Sequence, residues 1–138
     1  MYAWTKPGGY LVVQDYNASG WEIHPGLEVY DRFRKLLNDV FESNDNNFGH
    51  KLPVHFVSAG IGDPDGTDVA GVMGSLAQYG EMLRDSYRNV LPYAIRMGLI
   101  SEAESVEVIE GLKRAEQSER YYAVRFPLLI GVWKRKPL

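Results

Sequence analysis

Lys6-Pro7-Gly8-Gly9-Tyr10-Leu11-Val12-Val13-Gln14-Asp15 is the stretch on which the fold turns. Proline fixes φ and the two glycines permit positive φ, so Lys6 to Gly9 predicts a turn. Tyr10 to Val13 follows as an apolar run without alternation, the pattern of a strand buried on both faces in a parallel sheet. The polar cluster Gln14-Asp15-Tyr16-Asn17 marks its carboxyl end. The expected class is therefore α/β, with this first strand central in its sheet.

Downstream, residues 18–25 read as a loop carrying Gly20, Trp21, His24 and Pro25. From Gly26 the period becomes helical, with Leu27, Tyr30, Phe33, Leu37, Val40 and Phe41 on one stripe. The Ser43–Asn47 stretch ends that helix, because its side chains compete for backbone hydrogen bonds. Leu52 to Ala59 predicts a short helix closed by Gly60, and Gly62 to Gly66 a tight loop. Thr67 to Met73 reads as a strand weakened by Gly71. Ser75 to Met97 predicts a long amphipathic helix, kinked at Pro92 and capped by Gly98. Ser101 to Glu104 is a capping box opening a helix to about Gln117. Tyr121 to Trp133 alternates as one strand, with Pro127 forcing a bulge or an edge pairing.

Composition narrows the functional classes. The chain has 138 residues, 45% of them hydrophobic, which suits a single globular domain over 1–138. A formal net charge of −3 argues against nucleic-acid binding driven by counterion release. Lys134-Arg135-Lys136 reads as a solvated tail. With no cysteine there are no disulfides, thiolate metal sites or cysteine nucleophiles. No stretch approaches the roughly 20 apolar residues of a membrane span, and the start lacks a signal-peptide pattern. The expectation is a cytoplasmic protein with neither membrane nor nucleic-acid partner.

The order turn, strand, helix, short helix, strand, helices, strand resembles the second half of Rossmann-like (class I) SAM-dependent methyltransferases, in their small-molecule branch. Lys6 to Asp15 resembles the family's KPGG turn leading into the fifth strand. Gly49-His50-Lys51-Leu52-Pro53, running to Phe56-Val57-Ser58-Ala59-Gly60-Ile61, resembles the short helix before the sixth strand. The helices over about 75–118 resemble a substrate-covering insertion, and Pro127 to Lys134 the closing seventh strand. The resemblance implies a carboxyl-terminal portion of such a sheet, strands five to seven, which read as an isolated fragment is α+β. It implies S-adenosylmethionine (SAM) as cofactor of a full-length enzyme and a small-molecule methyl acceptor as partner. The family's cofactor turn and acid would lie ahead of Met1, so no SAM-binding residue is assigned here and none is expected bound to this chain alone.

Ligands in open α/β sheets sit beyond the carboxyl ends of strands. Asp15, Tyr16 and Asn17 fall there, with Trp21 and His24 behind them, as candidates to line an acceptor pocket. Asp15 would accept a hydrogen bond and His24 would serve as general base, against the plainer reading of a cap carboxylate and a solvated histidine. Tyr79, Tyr87, Tyr93, Met82 and Met97 form either an aromatic lid or ordinary core. Gly60-Ile61-Gly62 is a lone Gly-x-Gly followed by turn chemistry, a weak cofactor signal. His50 and His55 lack a paired carboxylate, and Asp63, Asp65 and Asp68 lack the glycine of a calcium loop. Two functions stay open: the acceptor wall of a methyltransferase, or a non-catalytic binding or dimerisation module. With strands one to four missing, the isolated chain is expected to expose one edge of the Tyr10–Val13 strand and so to form a homo-oligomer.

Overall fold

The computed structural model describes residues 1–41 and 45–138. The chain is mixed α/β with two small antiparallel sheets, and its contacts divide it into two compact units. One comprises Met1–Gly20, Asn46–Val72 and Phe126–Leu138; the other comprises Trp21–Asp45 and Met73–Arg125.

The first unit is built on β1 (Tyr10–Asn17), β3 (Gly66–Ala70) and β6 (Leu128–Arg135), in the order β1-β6-β3. Strand β6 is antiparallel to both neighbours, so β1 and β3 run in the same direction. Gly8, at φ +77°, makes the turn before β1 as expected. The strand itself departs from expectation. It runs on through Gln14, Asp15, Tyr16 and Asn17, lies at the sheet edge, and alternates in burial. Leu11 is buried and Val13 packs beside it, whereas Tyr10, Val12 and Tyr16 are exposed. The unbroken apolar run implies two buried faces; among the described residues only one is covered.

That covered face packs on α2 (Leu52–Ser58), and the core is Leu11, Leu52, Phe56 and Val132. Pro53 in the first turn suits the helix start, where its missing N–H is no loss. At the other end the Gly60 N–H donates to Val57 O and the Ile61 N–H to Phe56 O, both at 3.0 Å. With Gly60 at φ +73° this is a Schellman stop, and Ile61 packs back on the core.

The second unit holds α1 (Glu28–Val40), α3 (Leu76–Arg96), α4 (Glu102–Glu116) and a sheet of short strands, β2 (Glu22–His24), β5 (Ala123–Arg125) and β4 (Met73–Ser75), in the order β2-β5-β4. The loop expected over 18–25 therefore contains a strand. The α1 stripe matches expectation, except that Leu36 joins the core and Phe41 is exposed. Of the stretch expected to end α1, Ser43 and Asn44 lie outside the described residues. Ser75 caps α3 by accepting from the Gln78 N–H at 3.1 Å, and α3 continues through Pro92. Gly98, at φ +70°, closes it with a second Schellman pair, Gly98 N–H to Ile95 O and Leu99 N–H to Ala94 O. The capping box of α4 is present: Glu104 N–H donates to Ser101 Oγ, and Ser101 N–H to Glu104 Oε2.

Two strands expected to be continuous are each divided between the sheets. Thr67–Met73 becomes β3 and β4, separated at Gly71-Val72; Tyr121–Trp133 becomes β5 and β6, separated at Phe126-Pro127. Pro127 cannot donate to a ladder, so the strand ends there and restarts with a new partner. The restarted strand is central, not an edge.

Candidate functional site

The sequence-derived candidates fall into both units. On β1, the Asp15 carboxylate accepts the Tyr16 backbone N–H at 2.7 Å. Asn17 Oδ1 accepts from the Ser19 N–H (3.1 Å) and hydroxyl (2.6 Å), a local turn, and its amide stands 3.5 Å from His50 Nδ1. Gly49 lies so close that a Cβ there would sit 2.7 Å from Asp15 O and 2.9 Å from Ile130 Cγ1. Asp15, Tyr16 and Asn17 thus belong to a strand and its exit turn, where they were expected beyond the strand's end.

In the second unit, His24 is exposed at the end of β2, opposite Ala123. It borders a shallow hollow of about 110 Å³ with Glu22 and Arg125, which form an ion pair at 2.9 Å. Tyr79 lies over Gly74, and Tyr93 is 47% exposed under the Arg96 guanidinium. Tyr79 and Tyr93 stand on one helix about 21 Å apart at 1.5 Å per residue, too far to act on one small ligand. Met82 and Met97 are exposed, while Tyr87 is fully buried. The lid residues therefore divide between helix surface and core.

Trp21 joins Tyr30, Phe33 and Tyr87 in an aromatic cluster. Its ring meets Phe33 edge-on at 5.4 Å and Tyr30 at 6.5 Å, and Phe33 lies 5.6 Å from Tyr87. Among the described residues the Trp21 indole N–H and the Tyr30 and Tyr87 hydroxyls are buried without a hydrogen-bond partner. Burial pushes the Tyr87 phenol up to about 12 against the opposing pull of Arg32. It pushes Tyr30 further, although Arg34 and the nearby indole N–H work the other way. A phenol whose folded value is raised contributes stability that is complete below its unfolded value near 10 and is lost as pH rises through the folded value. In an alkaline absorbance titration, Tyr30 and Tyr87 should ionise only with loss of circular dichroism. Ionisation of Tyr30 and Tyr87 in a chain that stays folded would contradict their burial.

Sequence reading did not find one further concavity in this unit. A groove of about 570 Å³ between α1 and α4 is lined by Leu27, Val29, Arg32, Glu107, Arg114 and Tyr122 among others, within the size range of small-molecule sites. Arg32 spans it to Glu107 at 3.4 Å. Gly111 brings the helices together, since a Cβ there would meet Val29 at 2.8 Å. The only sequence signal was that glycine inside a helix, which otherwise costs stability and so implies close packing. Four of its ten lining residues are charged (Glu28, Arg32, Glu107 and Arg114), so its walls are mixed polar and apolar.

The Gly60-Ile61-Gly62 look-alike is the Schellman stop of α2 and leads to β3, whereas a cofactor turn leads from a strand into a helix. Asp65 is likewise structural. Its carboxylate accepts the Arg135 N–H at 2.7 Å, which holds it below the usual carboxylate range with help from Lys134. Among the described residues no group of three or more potential ligands could hold a metal ion, and no helix is long and apolar enough to cross a membrane. Neither a protein-family model nor a curated protein matches this chain.

Proposed function

We propose that this chain is the carboxyl-terminal, acceptor-side portion of a SAM-dependent methyltransferase acting on a small molecule. One observation carries the reading: the last strand, β6, lies antiparallel between β1 and β3, which run alike. The end of a Rossmann-like methyltransferase sheet is expected to look this way, with the seventh strand returning between the fifth and sixth. The Gly8 turn into β1 and the short α2 ahead of β3 stand in the matching places.

On this reading the second unit elaborates the substrate-covering insertion, and its α1–α4 groove receives the acceptor. SAM supplies an electrophilic methyl group when bound. What this chain contributes is a wall that orients the acceptor and excludes water, which can suffice for an in-line displacement.

The test is the coding sequence ahead of Met1. An in-frame strand running into a Gly-x-Gly-x-Gly turn is expected, and an unrelated or non-coding sequence there overturns the proposal. Calorimetry with the 138-residue chain and SAM should give no binding heat. A micromolar titration would place the cofactor site in this chain and refute the division. The free edge of β1 favours one second reading, a non-catalytic dimerisation module, because it suits pairing between chains without any cofactor.

A further inference from the structure

We propose that two copies of this chain join edge to edge through β1, antiparallel, about a two-fold axis at Val12. The inference rests on the second reading, the dimerisation module, because the upstream strands of a methyltransferase sheet would continue the sheet at this edge; its evidence is which backbone groups of β1 are free.

Trp133 O accepts from the Asp65 N–H at 2.9 Å, and the Arg135 N–H donates to Asp65 Oδ2 at 2.7 Å. The backbone groups of Trp133 and Arg135 therefore point towards the β3 side. Antiparallel ladders alternate, so the partners of these residues in register, Val12 and Tyr10, turn their own groups away from β6. The same holds for Gln14 and Tyr16. Lys136 N–H donating to Gly9 O at 2.8 Å fits the same phase.

The outward edge is bounded at both ends. The Tyr16 N–H is taken by Asp15 Oδ1, and the Gly8 N–H by Lys136 O at 2.9 Å. Between them the outward backbone groups of Tyr10, Val12 and Gln14 have no partner among the described residues. A two-fold axis at Val12 pairs Val12 with the partner's Val12 and Tyr10 with the partner's Gln14, using every free group on both strands. Leu11 then stands opposite the partner's Val13, and Asp15 opposite the partner's Gly9, so no like charges meet. Sliding the axis towards Asn17 calls on the occupied Tyr16 N–H; sliding it towards Gly8 calls on the occupied Gly8 N–H.

Edge strands that stay single are short, or carry lysine, proline or a bulge. β1 has eight residues in unbroken register with β6 and none of these devices. Its outward face is apolar, with Tyr10 59% and Val12 55% exposed. The opposite edge differs: β3 is five residues long, and Asp68 Oδ1 occupies its outward Val69 N–H at 2.8 Å. A single strand pair buries less than a standard interface of about 1,200–2,000 Å², so the dimer forms in proportion to concentration.

Sedimentation velocity should show a 15.6 kDa species at low concentration passing to twice that mass as concentration rises. Val12→Lys places two like charges at the axis and should abolish the shift with the circular dichroism spectrum unchanged. The chain has no cysteine, so single introduced thiols report the register. Val12→Cys should cross-link with its own copy under mild oxidation, because directly paired residues lie about 5.5 Å apart at Cα. Tyr16→Cys, with the two copies far apart across the axis, should not. A monomer at every concentration, a dimer unaffected by Val12→Lys, or cross-linking at Tyr16 in preference to Val12 would each overturn the proposal.

Discussion

Phe33→Ala should destabilise the helical unit by about 3–5 kcal/mol, the usual cost of truncating a buried phenylalanine. Phe33 is fully buried and stands at the centre of the aromatic cluster, with Trp21, Tyr30 and Tyr87 all within 5.7 Å between ring centroids. Its loss removes the one purely apolar ring that touches the other three. Folded proteins hold about 5–15 kcal/mol in total, so this single change consumes a large share. Urea denaturation should show the midpoint falling sharply at constant m. Tyr87→Phe provides the contrast: its hydroxyl is buried without a partner among the described residues, and an unsatisfied group of this kind costs about 1–3 kcal/mol. That variant should be neutral or more stable. A Phe33→Ala loss below about 1 kcal/mol would mean the cluster is loosely packed.

The same cluster shows how far local sequence rules reach. The α1 stripe of Tyr30, Phe33, Leu37 and Val40 was legible because helical burial depends on period alone, and each of these residues is buried. Helix ends were legible for a similar reason. Ser101 with Glu104, and Gly60 and Gly98 in left-handed conformation, act on backbone groups within a few residues. Sheet placement was not legible. Whether Tyr10–Val13 is central or at an edge depends on partners more than a hundred residues away, and Leu128–Arg135 supplies them. Nor does alternation reveal that a run serves two sheets; Tyr122 to Val132 keeps one period while Pro127 hands the chain from one ladder to another. The candidate site suffers from the same dependence. The placing of Asp15, Tyr16 and Asn17 turns on where β1 ends, and the meeting of Arg32 with Glu107 escapes local rules because it joins helices at residues 75 apart.

Gly49→Ala tests the closest of these long-range meetings and should cost about 3 kcal/mol, the upper part of the range for overpacking. The segment Phe48–Lys51 crosses β1 with Gly49 against it. An added Cβ would stand 2.7 Å from Asp15 O, 2.9 Å from Ile130 Cγ1 and 3.1 Å from Tyr16 O. Two of those three atoms are backbone of a paired strand, which cannot rotate aside as a side chain would. The crossing segment or β1 must move, and β1 is held by its eight-residue register with β6. Gly60→Ala separates this steric effect from backbone strain. Gly60 has φ +73°, but a methyl group added there would meet nothing within 4 Å, so only the left-handed penalty of about 1–2 kcal/mol applies. Thermal melts should therefore rank Gly49→Ala well below Gly60→Ala, with the wild type above both. The reverse order would show that β1 yields to the methyl group, and that the strand edge proposed to meet a second copy is softer than its ladder implies.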